Sequence, residues 1–179
     1  MTELKPTILI SESISEVRTE LINILNPSFN ILIADTEEDI FGQINLNPEL
    51  SIIIMNPVQE NLNGFDLVKK FKSFPQLKHI SFIFVISKDD DVSQIKGLEL
   101  GVIDFITLPL KEKIVPTFVK SIIKKHNEVR KEEQAKIIHE INIHKIEIEN
   151  IKNIIFMIKD TNKNNKNNEN NNEDEKEKE

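Results

Sequence analysis

The chain has 179 residues, of which 39% are hydrophobic, and a formal net charge of −7. This length fits one domain of ordinary size with additional segments. The sequence contains no cysteine, which excludes disulfides, thiolate nucleophiles and cysteine-bound zinc. The acidic balance argues against nucleic-acid binding, and no apolar run is long enough to span a membrane. We therefore expect a cytoplasmic protein that binds neither nucleic acid nor a membrane.

Short apolar runs alternate with helical repeats along the first two-thirds of the chain. The runs predict strands, and apolar residues at helical spacing predict the helices between them. Asn-Pro pairs end the first two helices, because the residue before a proline avoids the α region. Gly101 is placed to cap the end of the fourth helix. The predicted strands cover residues 6–10, 29–34, 51–55, 80–86 and 102–107, and the helices cover about 17–25, 37–46, 65–73, 92–100 and 114–125.

This alternation predicts a doubly wound parallel sheet of five strands, with helices on both faces. The run Ile52–Met55 has no polar alternation, which is typical of a central strand buried on both faces. Ligands of open α/β sheets bind outside the carboxyl ends of the strands. Asn56, which follows the run directly, is therefore predicted to lie where a reactive group would be placed.

Four segments resemble a known family. From about residue 5 to residue 126 the chain is similar to the receiver domain of two-component response regulators. The segments that carry the similarity are, in order, TILISES, SIIIMNPVQENLNGFDLV, FIFVIS and KGLELGVIDFITLPL. NGF at 63–65 matches the family's Asp-Gly-Phe, and the last segment resembles its fourth helix, fifth strand and Lys-Pro dipeptide. The resemblance implies a flavodoxin-like fold and a role in phosphorelay signal transduction.

The resemblance also implies where receiver chemistry would lie. Receivers take a phosphoryl group on an aspartate, hold Mg²⁺ with an acidic pair, and use a Ser/Thr and a lysine nearby. In this chain the phosphoacceptor position falls on Asn56, the acidic pair becomes Glu12-Ser13, and Leu108 replaces the lysine.

Two further family positions complete the predicted site. The Ser/Thr position falls on Ile86, although a shift of one residue would place the hydroxyl of Ser87 there. Phe105 falls at the position of the family's aromatic switch side chain.

Together these substitutions predict a pseudo-receiver that has lost phosphoryl transfer. An amide is a far weaker nucleophile than a carboxylate, and one carboxylate should bind Mg²⁺ weakly or not at all. We therefore expect no catalytic residue, no metal or cofactor, no enzyme activity, and an interaction module that binds a signalling protein or kinase. Alternatives are an active receiver with an unconventional phosphorylation site and a structural coiled-coil oligomerisation protein.

The last part of the chain has a different pattern. Residues 127–159 carry a heptad that predicts a long helix and a candidate coiled coil, with possible homo-oligomer formation through residues 134–158. The segment INIHKIEIE also alternates like a strand, but its length favours a helix, and the helix could instead fold back on its own domain. The a positions are Gln134, Ile141, Ile148 and Ile155, and the d positions are Ile137, His144, Ile151 and Ile158.

The sequence thus predicts three regions: a receiver-like domain at residues 1–126, the helical extension, and an Asn-rich tail at residues 160–179. The tail has no apolar residue with which to offset its ordering entropy, so we expect it to be disordered.

Overall fold

A computed structural model describes the backbone of residues 5–176 and the side chains of residues 5–161. Its strands are β1 (Thr7–Ser11), β2 (Asn30–Ile33), β3 (Ile52–Met55), β4 (Ser81–Ser87) and β5 (Asp104–Leu108). Its helices are α1 (Ser15–Leu25), α2 (Glu37–Leu46), α3 (Gly64–Ser73), α4 (Asp91–Glu99) and α5 (Val115–Lys176), with a 3₁₀ turn at Pro75–Leu77.

The five strands form one parallel sheet in the order β2-β1-β3-β4-β5. This order is the doubly wound, flavodoxin-like arrangement, so the predicted fold class is confirmed. β3 lies at the centre, and every residue of Ile52–Met55 is buried, as its continuous apolar run predicts.

Helices cover both faces of the sheet. On one face, α1 and the first turns of α5 pack through Leu21, Leu25 and Val119. On the other face, α2 and α3 pack through residues such as Ile40 and Phe71. Alternate residues of each strand serve the two faces, because successive side chains in a strand point in opposite directions.

Two polar side chains fix where the helices that follow β2 and β3 begin. The Thr36 hydroxyl accepts a hydrogen bond from the Asp39 N–H at the start of α2. The Asn63 side chain accepts from the N–H groups of Phe65 and Asp66 at the start of α3. Such caps satisfy amide groups that have no partner within the helix.

The contacts divide the chain into two units, Met1–Asn127 and Glu128–Glu179. The long C-terminal helix predicted from the heptad is confirmed, and the strand-like segment INIHKIEIE is helical. The apolar side chains of the predicted seam in this unit, such as Ile141 and Ile148, are exposed.

α5 continues as a helix to Lys176. The predicted disorder of the Asn-rich tail is therefore not confirmed, and residues 177–179 lie outside the described part of the chain. Within that part, none of the helices is both long enough and apolar enough to cross a membrane.

Candidate functional site

The carboxyl ends of β1 and β3 bring the predicted site residues together. Ser11 of β1 pairs with Met55 of β3, so the residues that follow them, Glu12 and Asn56, leave the sheet side by side. The Asn56 N–H donates to the Ser11 carbonyl at 3.0 Å and extends this pairing by one step. The predicted position of Asn56 at the edge of the sheet agrees with this geometry.

Glu12 is a carboxylate buried at the end of β1. Only 1% of its surface is exposed. Its Oε1 accepts hydrogen bonds from the Ile14 N–H at 2.9 Å and from Nδ2 of Asn56 at 3.1 Å. Its Oε2 is also buried and has no hydrogen-bond partner within the described residues. Because a buried carboxylate is costly without donors, the Asn56 amide is an important partner for Glu12.

The two ends of the Asn56 side chain have different partners. Its Oδ1 accepts a hydrogen bond from the Val58 N–H at 3.0 Å, and its Nδ2 donates to Glu12. Because an N–H group can only donate, Val58 selects the orientation in which the amide NH₂ faces the carboxylate. A second carboxylate at this position would face Glu12 with a negative charge instead of a donor.

Gln59 is a site residue that the sequence analysis missed. Its Nε2 donates to the Ser11 carbonyl at 3.1 Å, the Ser11 hydroxyl at 3.2 Å and the Asn56 carbonyl at 2.9 Å. It therefore ties the loop after β3 to the end of β1. The sequence signal was the polar Ser11 at the end of an apolar strand, because a fully buried hydroxyl needs a partner.

The other member of the predicted acidic pair is not part of this network. Ser13 is exposed, whereas Glu12 beside it is buried. Arg18 of α1 donates to the Glu12 carbonyl oxygen and forms an ion pair with Asp35, which follows β2. The Arg18 guanidinium is thus held by the backbone and by Asp35.

The residues at the end of β4 divide between core and solvent. Ile86 is 5% exposed and belongs to the core on the α2–α3 face, whereas Ser87 is exposed. Ser87 pairs with Leu108 of β5 in the sheet. The assignment of the receiver hydroxyl to Ile86 or to Ser87 stays a prediction, but Ser87 is the one whose side chain reaches the surface.

On β5, Leu108 and Phe105 are both partly buried. Leu108 packs against the core on the α1–α5 face, and Phe105 packs against the opposite core. Gly97 of α4 makes room for the Phe105 ring, because a Cβ at Gly97 would lie 2.9 Å from Phe105 Cε1. Phe105 also stands edge-on to Phe84, with ring centres 6.4 Å apart. The predicted switch side chain is therefore packed under α4.

The residues at this edge do not fit Mg²⁺. Mg²⁺ requires several oxygen ligands in near-octahedral geometry and is usually held by carboxylates. Here Glu12 is the only carboxylate of the predicted set, and Asn56 turns its NH₂ toward it and its oxygen toward Val58. Across residues 5–161, no group of three or more His, Cys, Asp or Glu side chains is arranged to hold a metal ion.

Sequence comparisons identify relatives among signalling proteins. A histidine kinase, P4, of Formosa agariphila is 27% identical over 159 residues, which are 87% of this chain and 12% of the kinase. The chain thus spans about an eighth of that relative's length. The two-component response regulator ORR3 of Oryza sativa is 24% identical over 124 residues, which are 69% of this chain and 95% of the relative. No model of a protein family matches.

A structural comparison gives the same result for the fold. The crystal structure of the signal receiver domain of a histidine kinase from Syntrophus aciditrophicus matches with a TM-score of 0.58 and 24% identity. The match covers 67% of this chain and 91% of that domain. The resemblance inferred from the sequence is confirmed: the first unit of this chain has the receiver fold and is similar to the receiver domains of two-component response regulators.

Proposed function

We propose that this chain is a receiver-like signalling module that does not accept a phosphoryl group and acts through protein contacts. The observation that carries the proposal is the placement of Asn56, whose amide lies at the carboxyl end of the central strand and donates to Glu12. An amide nitrogen used in this way is not a nucleophile for phosphorus. The module would be cytoplasmic and would have no enzyme activity of its own.

The surroundings of Asn56 support the same proposal. Phosphoryl transfer depends on cations that neutralise charge as it develops on the phosphoryl oxygens. Ser13 is exposed and uncharged, and Leu108 packs against the core where a receiver carries its lysine. The nearby cation, Arg18, is paired with Asp35. Within the part of the chain that the structure describes, no group of three or more His, Cys, Asp or Glu side chains could hold a metal ion, and an apolar side chain occupies the lysine position.

A surface for protein contacts is available on α4. Val92, Ile95 and Leu98 are spaced three residues apart and are 77%, 58% and 59% exposed. This spacing places them on one side of the helix, where they form an apolar patch. Such patches commonly mark protein interaction sites, because their burial against a partner removes apolar surface from water. A signalling protein or kinase is the class of partner that the relatives suggest.

Incubation with acetyl phosphate and Mg²⁺, read by intact mass, tests the proposal. We expect no gain in mass for the wild type and none for Asn56→Asp, because Ser13 and Leu108 would still lack the required charges. The variant Ser13→Asp/Asn56→Asp/Leu108→Lys is the matched control, since it restores all three groups on the same fold. A wild-type adduct of about 80 Da that hydroxylamine removes would contradict the proposal and favour an active receiver with an unconventional carboxylate.

Self-association through residues 134–158 is a second candidate function. It is favoured by the isoleucines of the heptad seam, which are 47–59% exposed on α5. A helix in water gains stability mainly when such an apolar stripe is covered. Sedimentation of the full chain and of a form ending at Lys131 tests this candidate, because only the full chain should associate. Equal association of both forms would place the interface in the receiver-like domain.

A further inference from the structure

We propose that a second copy of this chain covers the seam of α5, and that the two helices run parallel and in register. This inference rests on the self-association proposed above and adds the orientation of the partner. The seam consists of the a and d positions between Gln134 and Ile158, and six of these eight positions are isoleucine. Isoleucine at both positions favours assemblies of more than two helices, so third or fourth copies fit the same arrangement.

The charges beside the seam identify the orientation. On one side, the g positions Glu140 and Glu147 are acidic, and on the other side, the e positions Lys145 and Lys152 are basic. All four side chains are exposed. In coiled coils the e and g residues flank the apolar seam and form the ion pairs that set partner choice and orientation.

A parallel arrangement joins these charges favourably. In it, each g residue lies beside the e residue of the following heptad on the neighbouring helix. Glu140 then faces Lys145 of the second copy, and Glu147 faces Lys152. An antiparallel arrangement would instead place g beside g and e beside e, which brings glutamate to glutamate and lysine to lysine. Like charges in such positions are destabilising.

α5 carries a groove on the side of the helix where a second copy would pack. A groove on the helix is lined by Ile141, His144, Lys145, Ile148, Glu149 and Lys152. It lies between successive a and d residues on the e side, where a side chain of a neighbouring helix inserts in knobs-into-holes packing. Lys152 forms an ion pair of 3.5 Å with Glu149, and its side chain is exposed.

Cysteine cross-linking tests the orientation, because the natural chain has no cysteine. We expect Ile137→Cys alone and Ile158→Cys alone each to form disulfide-linked dimers of the full chain on mild oxidation. In parallel helices that are in register, each seam residue lies beside the same residue of the second copy. In an antiparallel pair the two cysteines of either variant would be about 30 Å apart, given a rise of about 1.5 Å per residue. Asn153→Cys, on the opposite side of the helix, controls for random collision and should not cross-link.

Two results of this experiment would overturn the inference. Cross-linking only in a mixture of the two variants would mean antiparallel helices. No cross-linking above the Asn153→Cys control would mean that a second copy does not cover this face. Neither result affects the phosphodonor experiment above, which tests the receiver-like domain separately.

Charge variants provide a second test, read by sedimentation equilibrium at low salt. Glu140→Lys/Glu147→Lys should weaken association by about tenfold or more, because glutamate–lysine contacts become lysine–lysine contacts. Adding Lys145→Glu/Lys152→Glu to the same chain should restore it. The matched control Glu132→Lys/Asp160→Lys makes the same change of charge at two f positions, on the side of the helix opposite the seam, and should leave association unchanged. Unaltered association of the first variant, or failure of the second to recover, would refute the parallel arrangement.

Discussion

The substitution Asn56→Asp tests the role assigned to the Asn56 amide as a hydrogen-bond donor to the buried Glu12 carboxylate. In the wild type, Nδ2 donates at 3.1 Å to a carboxylate that is 1% exposed. A hydrogen bond to a charged group contributes about 1.5–3 kcal/mol. In the variant a carboxylate oxygen takes the place of the NH₂. Two like charges about 4 Å apart repel by about 4 kcal/mol at an effective dielectric constant of about 20.

Asn56 is only partly buried, so water and small movements should relieve part of this repulsion. We therefore expect Asn56→Asp to lower the free energy of unfolding of the receiver-like domain by about 2–4 kcal/mol at neutral pH.

Hydrogen–deuterium exchange of the β1 and β3 amides is a suitable assay for this loss. The chain has neither tryptophan nor tyrosine, so fluorescence offers little signal, and helical circular dichroism would be dominated by α5. Exchange by way of unfolding should become about 30-fold to 1,000-fold faster in the variant, since about 1.4 kcal/mol corresponds to a factor of ten.

Asn63→Asp is the matched control, because it makes the same chemical change at a different site. Among the described residues, the Asn63 side chain is bonded through its oxygen, which accepts from the N–H groups of Phe65 and Asp66 at the start of α3. An aspartate keeps this oxygen, and a negative charge at a helix N-terminus is favourable. This variant should be as stable as the wild type or slightly more stable. Equal exchange rates in Asn56→Asp and wild type would refute the assigned role of the amide.

Substitutions at three further positions test the fold that positions this site. Gly64→Ala should lower the free energy of unfolding by about 1–3 kcal/mol, measured by the same exchange method. The alanine Cβ would lie 2.8 Å from the backbone Cα of Pro57, in the loop that holds Asn56. Gly42→Ala is the control, because a Cβ at position 42 would have no atom within 4 Å. This variant should raise the free energy of unfolding by about 0.5–1 kcal/mol, since alanine is a better helix former than glycine. A lower free energy of unfolding would contradict this account. Thr36→Ala should lower the free energy of unfolding by about 0.5–2 kcal/mol, because it removes the side chain that caps α2. Thr36→Ser keeps a hydroxyl at this position and should retain most of the stability.

Much of the fold could be predicted from the sequence because its signals are local. The apolar run Ile52–Met55 requires a strand buried on both faces, and Pro27 and Pro48 exclude continued helix whatever the rest of the chain does. The predicted bounds of α2 agree with the structure, and the strands differ by one or two residues at their ends. The departures from the receiver pattern at Asn56, Ser13 and Leu108 could also be recognised from the sequence, because they depend only on which residue occupies each position.

The contacts of the site could not be predicted in this way. Glu12 and Asn56 are 44 positions apart, and their hydrogen bond depends on the register between β1 and β3. The direction of the Asn56 amide depends in turn on the Val58 N–H in the loop that follows. Gln59 acquires its role only because this loop returns over Ser11.

The sequence by itself determined which residues stand at the ends of the strands, and also the apolar and charged pattern of α5. Only the tertiary structure decided which of them meet and which face solvent. Ile86 and Ser87 illustrate the difference, because either could stand at the receiver hydroxyl position from the sequence alone. The core on the α2–α3 face buries Ile86, whereas Ser87, the next residue of β4, is exposed. The physical reason is that side-chain direction alternates along a strand, so register and the packing of neighbouring elements select the exposed residue.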